Sequence, residues 1–484
     1  MNIIGIWYLS LSMKVCIMHD IVNVIKIIKE AHKMSSLFNI LKAEGLTTLK
    51  IRYDFRTDVF RFIAAKEWDA STDFSKYNKT FNIGSNLTDE AVYLNTSQVL
   101  TMFEKHGQKE YLEKIKDLIR QGKHFGIDML YNDKFNIRFI CGIHSPKRGV
   151  NNKSHATMAG ATRRKDLSIP EIDAIIDALN LSRAMAFKNI AADISFGGCK
   201  TTIQMDSPDI TNMELMGFMA YACDTTRCFT GPDMAFPKEM VKVMNNNFTM
   251  QYCGGPGSAL GDTAIPTAYG VYLALKQALK FQTGSESLDG MSAAVQGLGA
   301  VGYAMAKYLA QEKTKLYIAD INQDALDRFI KEHPNHDVTI VSTDEIVKVD
   351  ADIFCPSAMG GILGEEEIKT LKFKYIIGGA NNQLRATNQE EEIRLAKLIA
   401  DKGILFQVDW WHNCAGVLAA AMEYTYGFTK NNADLVKAVE EVVPVQTWKN
   451  LNRAKEQNVT PTESAYMSCN ELIYGDVTSK FWTI

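Results

Sequence analysis

The sequence AAVQGLGAVGYAMAKYL, residues 293–309, decides the fold of the C-terminal half of the chain. It begins as an apolar strand, passes through a glycine-rich turn and continues as a helical pattern. In G-x-G-x-x-G, the first glycine permits a tight turn, the second lets the backbone approach a pyrophosphate, and the third lets helix pack on strand. A pyrophosphate at such a turn lies on the helix N-terminus. The motif predicts a dinucleotide-binding turn formed by Gly297, Gly299, Ala300, Val301 and Gly302.

An acidic residue follows at the position that this interpretation requires. Asp320 ends the next strand-like run, KLYIAD, and lies 18 residues beyond Gly302. A carboxylate there accepts hydrogen bonds from the adenosine ribose and repels a 2′-phosphate. The residues Ile321-Asn322-Gln323 supply no cation to offset the repulsion. Asp320 therefore predicts NAD rather than NADP, and the alternative is a glycine-rich turn without a ligand.

The pattern around this motif predicts a doubly wound α/β domain. From about residue 290, short apolar runs alternate with helical patterns, as in TKLYIAD, QDALDRFIKE and ADIFCPS. Such alternation is typical of a parallel sheet with helices on both faces. Upstream, the alternating run at 48–64 predicts a strand or hairpin. Residues 166–188 predict a helix whose start is capped by Ser168 and Glu171.

Composition argues against several classes of protein. Of the 484 residues, 46% are hydrophobic and 23% are charged, and the net charge of −3 attracts neither nucleic acid nor a membrane. The nine cysteines are scattered without a CxxC pair, which predicts neither a disulfide framework nor a metal site. No signal peptide or membrane span is indicated, so a cytoplasmic, reducing location is expected. The first 33 residues are weakly patterned, and Met34 is an alternative start.

Two isolated lysines stand out in MAFKNIAADISFGGCK, residues 185–200. Lys188 and Lys200 lie in an apolar, glycine-broken segment without other basic residues. Burial lowers the pKa of a lysine and can make it a general base. A second lysine that stays charged can anchor a carboxylate. The alternative is that both side chains lay their stems along apolar surface and keep their ammonium groups in water.

Seven short motifs occur in this order along the chain: MAGATRRK, MAFKNIAADISFGGCK, PTAYGVY, AVQGLGAVG, ADIN, GGANNQL and NCAGV. Together they resemble the leucine/phenylalanine/valine dehydrogenase branch of the amino-acid dehydrogenases, which are relatives of glutamate dehydrogenase. The resemblance covers about residues 120–430.

The resemblance implies a two-domain α/β fold, with a Rossmann cofactor domain and an α/β substrate domain around a cleft. The division expected from it places an N-terminal extension of unknown role at 1–120, the substrate domain at 121–265 and the NAD-binding domain at 266–420. C-terminal helices at 421–484 are expected to pack back toward the substrate domain. The implied activity is NAD-dependent, reversible oxidative deamination of an apolar, branched-chain or aromatic L-amino acid to its 2-oxo acid and ammonia, in a homo-oligomer.

The resemblance also implies roles for individual residues. Lys188 resembles the lysine that holds the substrate carboxylate, and Lys200 resembles the lysine of low pKa that activates water. Asp233 matches the aspartate that exchanges protons with the amino group, with Asp224 as its rival. The remaining matches are Thr267 and Asn382 at the nicotinamide, Asn413 near cofactor and substrate, and Ala159, Gly160, Gly231, Val417 and Ala420 around the substrate side chain.

The five residues expected around the substrate side chain are small: Ala159, Gly160, Gly231, Val417 and Ala420. Their small size predicts a pocket for a large apolar or aromatic side chain, with leucine-like substrates as the second choice. No cation among them matches the γ-carboxylate of glutamate.

The chain departs from the family pattern at a few positions. Cys199 replaces the third of three glycines that usually precede the catalytic lysine in the family. Cys414 and Ala415 change the family's NAGGV motif to NCAGV. Trp410, Trp411 and His412 are interpreted as packing residues. Two further interpretations stay open: a different NAD-linked dehydrogenase on a similar two-domain plan, and a nucleotide-binding relative that has lost catalysis.

Overall fold

The computed structural model describes residues 36–77, 87–146, 157–248, 252–255 and 257–475. The opening residues, including the alternative start Met34, lie outside the described residues. The strands are β1 Thr48–Asp54, β2 Val59–Lys66, β3 Val92–Leu94, β4 Gly126–Asn132, β5 Ile137–Ser145, β6 Met158–Ala159, β7 Thr162–Lys165, β8 Gly197–Gln204, β9 Cys228–Phe229, β10 Ser292–Gln296, β11 Lys315–Ala319, β12 Val338–Ile340, β13 Ile353–Pro356, β14 Tyr375–Ile376 and β15 Leu405–Phe406.

The α-helices are α1 Leu37–Ala43, α2 Thr96–Lys105, α3 Lys109–Gln121, α4 Glu171–Ala191, α5 Met213–Thr226, α6 Lys238–Asn247, α7 Ala264–Thr283, α8 Ala300–Gln311, α9 Gln323–Glu332, α10 Glu365–Thr370, α11 Gln389–Asp401, α12 Asp409–His412, α13 Ala415–Tyr426, α14 Asn432–Gln457 and α15 Pro461–Tyr474. Across the described ranges, no helix combines the length and apolar character that crossing a bilayer requires.

The N-terminal half contains a mixed sheet of nine strands among the described residues. Its path runs β3-β2-β1-β4-β5-β8-β6-β9, and β7 pairs with β8. The predicted strand or hairpin at 48–64 is the antiparallel pair of β1 and β2, with Thr48 opposite Ala65. Strand β1 also pairs with β4, which places Leu49 opposite Met129.

This sheet runs across the boundary expected at residue 120. Strands β1 to β3 precede that residue, yet they continue the same sheet that holds β8 and Lys200. The physical reason is that β1 supplies the hydrogen-bonding partner for β4, so the described part of the N-terminal region completes the substrate-side sheet. We therefore treat the segment from residue 36 onward as part of the substrate-side half.

The second sheet has six described strands, all parallel, in the order β12-β11-β10-β13-β14-β15. Numbered within the domain, this is the order 3-2-1-4-5-6 of doubly wound dinucleotide-binding folds. The order in which strands are added to the sheet reverses between β10 and β13, and ligands of such sheets bind at this switch point. The sheet confirms the predicted α/β class and places the glycine-rich turn after β10 at the switch point.

Helix α4 carries one of the two lysines, and its start differs from the prediction. The helix begins without a side-chain cap, so the predicted box of Ser168 and Glu171 is wrong. The Glu171 carboxylate turns into the core, where it accepts hydrogen bonds from Ser36 Oγ at 2.5 Å and Leu37 N at 2.8 Å. Tyr111 OH donates a further bond at 3.1 Å. Glu171 thereby satisfies free amide groups at the start of α1, a distant helix that the local pattern did not reveal.

The C-terminal helices touch both halves of the molecule. Helix α14 packs along α7 and α15. Tyr474, at the end of α15, lies with its hydroxyl 3.0 Å from His144 Nε2 and with its ring edge-on to Phe55. Through Tyr474, helix α15 therefore contacts the first sheet beside strand β5.

Candidate active site

A cleft of about 410 Å³ lies where the C-terminal edge of the parallel sheet faces the first sheet. Its walls come from strands β6 to β9 on one side, and from helices α7, α8, α12 and α13 and the loop after β14 on the other. The structure brings most of the predicted site residues to this cleft. They are Ala159, Gly160, Lys188, Lys200, Gly231, Asp233, Thr267, Val301, Asn382, Asn413, Val417 and Ala420.

Lys200 and Asp233 form the polar centre of the cleft. Lys200 is 4% exposed, and its Nζ donates a hydrogen bond to Asp233 Oδ2. Arg163 Nε donates to the same oxygen at 2.8 Å, and Arg163 Nη1 lies 3.2 Å from Asp177 Oδ1. One carboxylate oxygen thus receives two cationic donors, which positions Asp233 beside the lysine.

The electrostatics of this centre follow from burial and from the two cations. Burial lowers the pKa of Lys200, Arg163 lowers it further, and Asp233 opposes both. Burial acts to raise the pKa of Asp233, but the charges of Lys200 and Arg163 outweigh it and hold that pKa below its usual range. Asp233 therefore stays ionised, while Lys200 loses its proton more readily than an exposed lysine does.

The alternative aspartate lies elsewhere. Asp224 is buried on α5, where it accepts a hydrogen bond from the hydroxyl of Tyr77, and it is absent from the cleft wall. The structure therefore brings Asp233, and not Asp224, to Lys200.

Lys188 reaches across the cleft from the end of α4. Its Nζ lies 2.7 Å from Asn381 Oδ1, and Asn413 Nδ2 lies 3.0 Å from the same oxygen. Burial lowers the pKa of Lys188, and the charge of Asp409 opposes this shift. The Lys188 ammonium and the Asn413 amide therefore both donate to one oxygen, which is the donor arrangement that an oxygen of a substrate carboxylate needs.

A buried carboxylate supports this side of the cleft. Asp409 accepts hydrogen bonds from Asn382 N at 3.0 Å and from Gln383 N at 3.4 Å. These bonds hold the loop after β14, in which Asn382 adopts a left-handed φ of 52°. His412 is buried, and its Nε2 lies 2.9 Å from Gly378 O. Burial lowers the pKa of His412 to about 4, so its ring is a neutral packing group.

The glycine-rich turn has the shape that a dinucleotide requires. Gly297 has a φ of 90°, and a Cβ on Gly302 would lie 1.9 Å from Gly297 O, so both positions need glycine. A Cβ on Gly299 would meet nothing within 4 Å, because this residue faces an open groove of about 600 Å³. Since Gly299 also caps the N-terminus of α8, the groove presents free amide groups to a pyrophosphate.

Asp320 lies beside this groove and makes two hydrogen bonds that the sequence did not predict. Asp320 Oδ2 accepts from Leu298 N at 2.5 Å, and Oδ1 accepts from Asn322 N at 2.7 Å. The carboxylate therefore also braces the turn, and it keeps a lone pair on each oxygen for a ribose hydroxyl. Two cations that the sequence interpretation missed, Lys307 and Arg328, line the same groove. Helix periodicity brings them there from positions distant from the ADIN motif.

The apolar end of the cleft is walled by aromatic rings. Phe229 lines the cleft and stacks on Tyr424 at 4.9 Å between ring centroids. Phe196 packs edge-on against Phe229 at 5.2 Å. Val417 and Ala420 complete this wall from α13. An apolar side chain of the substrate fits such surroundings.

The structure corrects the reason given for a large pocket. A Cβ on Gly160 would lie 1.9 Å from Cys199 O, and one on Gly231 would lie 2.5 Å from Cys253 O. Both glycines therefore face neighbouring backbone and add no room for a substrate. The volume at this end is set instead by Ala159, Val417, Ala420 and Phe229.

The two tryptophans occupy different positions. Trp410 borders the cleft and packs against Phe187 at 5.1 Å. Trp411 Nε1 donates to Gln446 O at 3.1 Å, so its ring is fixed against α14.

Three polar residues of the cleft escaped the sequence interpretation: Arg163, Asn381 and Asp409. Arg163 lies in MAGATRRK beside Arg164, and nothing local distinguishes the two. Because neighbouring residues of a strand point to opposite faces, Arg163 faces Asp233 and Arg164 faces Asp166.

Comparisons with known proteins agree with this architecture. The sequence model of the Glutamate/Leucine/Phenylalanine/Valine dehydrogenase family matches residues 314–474. Phenylalanine dehydrogenase of Lysinibacillus sphaericus is 36% identical over 316 residues, which are 63% of this chain and 79% of that enzyme. Leucine dehydrogenase of Thermoactinomyces intermedius is 36% identical over 277 residues, which are 56% of this chain and 72% of that enzyme.

Solved structures share the fold. L-tryptophan dehydrogenase from Nostoc punctiforme superposes with a TM-score of 0.61 at 28% identity, over 74% of this chain and 99% of that chain. Hetero-hexameric glutamate dehydrogenase from Thermus thermophilus gives 0.53 at 17% identity, over 75% and 94% of the two chains. With the cleft and the glycine-rich turn, these matches show that the chain belongs to the glutamate/leucine/phenylalanine/valine dehydrogenase family and is an amino-acid dehydrogenase, an oxidoreductase that acts on CH–NH₂ donors.

Proposed function

We propose that the protein catalyses the NAD-dependent, reversible oxidative deamination of a large apolar or aromatic L-amino acid to its 2-oxo acid and ammonia. The observation that carries the proposal is the convergence of Lys188, Lys200 and Asp233 in one cleft that also opens to Thr267 and Asn382. A carboxylate anchor, a candidate base and an ionised carboxylate that can exchange protons then surround one substrate Cα.

Lys188 is proposed to bind the α-carboxylate. In the structure its ammonium is held by Asn381, and an incoming carboxylate would replace this neutral amide as the main acceptor. Hydrogen bonds between charged partners are about twice as strong as neutral ones, so the exchange favours binding. Asn413 lies within reach of the same position.

Lys200 and Asp233 are proposed to carry the proton transfers. Neutral Lys200 removes a proton from a water that attacks the oxidised Cα, and its ammonium then stabilises the developing oxyanion. Asp233, ionised and fixed by Arg163, accepts a proton from the substrate ammonium and returns it to the departing ammonia. Burial of Lys200 supports this role, because it favours the neutral amine.

NAD is the cofactor that the groove supports best. Gly297, Gly299, Ala300, Val301 and Gly302 would hold the pyrophosphate, and Asp320 would hold the ribose. Thr267 and Asn382 would contact the nicotinamide half at the cleft. When bound, the cofactor supplies an acceptor for the hydride that leaves Cα.

The substrate side chain is proposed to lie against Phe229, Val417 and Ala420. The residues that line this apolar end carry no charge among the described part of the chain, which disfavours glutamate. Aromatic side chains gain contact with the Phe229 ring, and ring pairs add about 0.5–1.5 kcal/mol beyond buried area.

We also propose a homo-oligomer in a reducing cytoplasm. Exposed apolar residues on the edge of the first sheet, Ile63, Val92 and Tyr93, support an assembly surface there. The described cysteines are buried thiols rather than disulfides, which supports a reducing location. Light scattering of the purified protein measures its assembly state, and a monomer at all concentrations would refute the oligomer.

One assay tests the proposed reaction and its substrate class. The formation of reduced nicotinamide is measured with phenylalanine, tryptophan, leucine, valine and glutamate under a single condition, and kcat/KM is compared. We expect an aromatic amino acid or leucine to rank first. If valine ranks first, the proposed large pocket is wrong. If glutamate ranks first, the proposed apolar substrate class is wrong. If none of the amino acids is turned over, the protein is a relative that has lost catalysis.

A further inference from the structure

Three cysteines that are scattered in the sequence meet on one face of the first sheet. Cys141 lies on β5, Cys199 on β8 and Cys228 on β9, and all three side chains are fully buried. Their sulfur atoms lie within 4.8 Å of one another. No two of these residues are closer than 29 positions in the chain, so no spacing motif reveals the cluster.

The thiols lie close to one another, and Cys228 also contacts Thr201. Cys199 Sγ and Cys228 Sγ lie 2.8 Å apart, and Thr201 Oγ1 lies 3.6 Å from Cys228 Sγ. The three sulfur atoms therefore lie close enough together for a single cation to contact all of them.

We propose that Cys141, Cys199 and Cys228 form a binding site for one soft, thiophilic metal cation in three-coordinate, all-sulfur geometry. The described residues offer three thiols here and no imidazole or carboxylate ligand within the cluster. Thiolates select soft ions such as Cu(I) or Cd(II) over hard ones. On binding, three S–H protons leave and three metal–sulfur bonds form, so no electron is transferred and no oxidant is needed.

The site lies directly behind the catalytic strand. Cys199 immediately precedes Lys200, and successive residues of a strand point to opposite faces of the sheet. Cys228 likewise precedes Phe229, which lines the cleft. The proposal concerns the opposite face of β8 and does not depend on which amino acid the enzyme oxidises.

The test uses full-length, reduced protein with Cys16→Ser as background, which removes the cysteine outside the described residues. Cd²⁺ is titrated without oxygen, and bound metal is measured by equilibrium dialysis and by sulfur-to-cadmium charge-transfer absorption. The parent protein should bind one equivalent with this absorption band. Cys141→Ala and Cys228→Ala should each lose it, while Cys469→Ala, a buried cysteine of α15, should keep it.

X-ray absorption at the cadmium edge of the parent protein counts the sulfur neighbours directly, and three are expected. Fewer than three, or an unchanged charge-transfer band in Cys228→Ala, would overturn the site. Because this measurement uses the parent protein, it decides the question even where a variant fails to fold. Circular dichroism of each variant checks its fold, and Cys228→Val repeats the test with a side chain of similar size.

Discussion

Lys188 Nζ lies 2.7 Å from Asn381 Oδ1, and this hydrogen bond spans the cleft between the two halves of the molecule. Lys188 belongs to the helix packed behind the first sheet, whereas Asn381 belongs to the loop after β14 of the parallel sheet. The proposed substrate anchor and the loop proposed to contact the cofactor are therefore joined by one hydrogen bond. A carboxylate that took the place of the Asn381 oxygen would bind the lysine and release this loop from it.

Replacing Lys188 by Met should weaken amino-acid binding. The side chain keeps its apolar stem but loses the charge, and a hydrogen bond to a charged group contributes about 1.5–3 kcal/mol. We expect the KM for the amino acid to rise by about 10- to 100-fold, with the Kd for NAD unchanged. Lys276→Met, which removes a lysine paired with Glu312 away from the cleft, is the matched control. An unaltered KM in Lys188→Met would rule out the anchor.

Lys200→Ala should abolish most turnover and leave cofactor binding intact. Loss of a general base costs about 10²–10⁴-fold in rate, and loss of oxyanion stabilisation adds to this. Steady-state kcat and fluorescence titration with the reduced cofactor measure the two properties separately. Turnover within about threefold of the parent enzyme would exclude Lys200 as the base.

Arg163→Gln should shift the pH profile. In the proposed mechanism deamination needs neutral Lys200, so kcat/KM should rise with pH as the lysine loses its proton. The positive charge of Arg163 lowers the pKa of Lys200, and removing it should raise that pKa. The acid limb of the kcat/KM profile should therefore move to higher pH. Arg164→Gln is the control, because its guanidinium bonds Asp166 and Met205 O outside the cleft. A shift of equal size in both variants would contradict the role of Arg163.

Arg163 and Arg164 also show which features of the site a sequence pattern cannot predict. The glycine-rich turn, the parallel sheet and both lysines were predictable, because each depends on a local pattern or a short motif. The roles of Arg163 and Asn381 depend on which face of a strand or loop meets a distant residue. Glu171 shows the same limit, since a local capping pattern predicted a bond that the carboxylate makes instead to a helix 134 residues away. A local sequence pattern does not tell which way a side chain points when its partner lies far away in the chain.

Asp320→Asn should reduce the preference for NAD over NADP. The amide keeps an oxygen that can accept from a turn amide but loses the charge that repels a 2′-phosphate. Lys307 and Arg328 already line the groove, so no added cation is required. We expect the ratio of kcat/KM values for the two cofactors to fall by about tenfold, or ~1.4 kcal/mol. Asp327→Asn is the control, because Asp327 is exposed and bonds Gln323 outside the groove. Equal ratios in both variants would show that Asp320 does not discriminate.

Ala420→Leu should redirect the enzyme toward smaller substrates. Ala420 lines the apolar end of the cleft on α13, close to Val417 and Phe229 in the same cluster. Its Cβ has room to extend because the cleft is open there, in contrast to Gly160 and Gly231, whose added carbons would strike backbone. The three carbons added by leucine would occupy the space of an aromatic ring. Each methylene that fits or clashes in such a pocket changes selectivity by about 1–3 kcal/mol.

The measurement is kcat/KM for phenylalanine and for valine in Ala420→Leu and in the parent enzyme. We expect the value for phenylalanine to fall by about 10- to 100-fold while the value for valine stays within about threefold. Valine serves as the internal control, because a general loss of folding or of cofactor binding would lower both values together. An unchanged ratio of the two values would mean that the substrate side chain does not reach Ala420. The wall formed by Phe229 and α13 would then have no part in selecting the substrate.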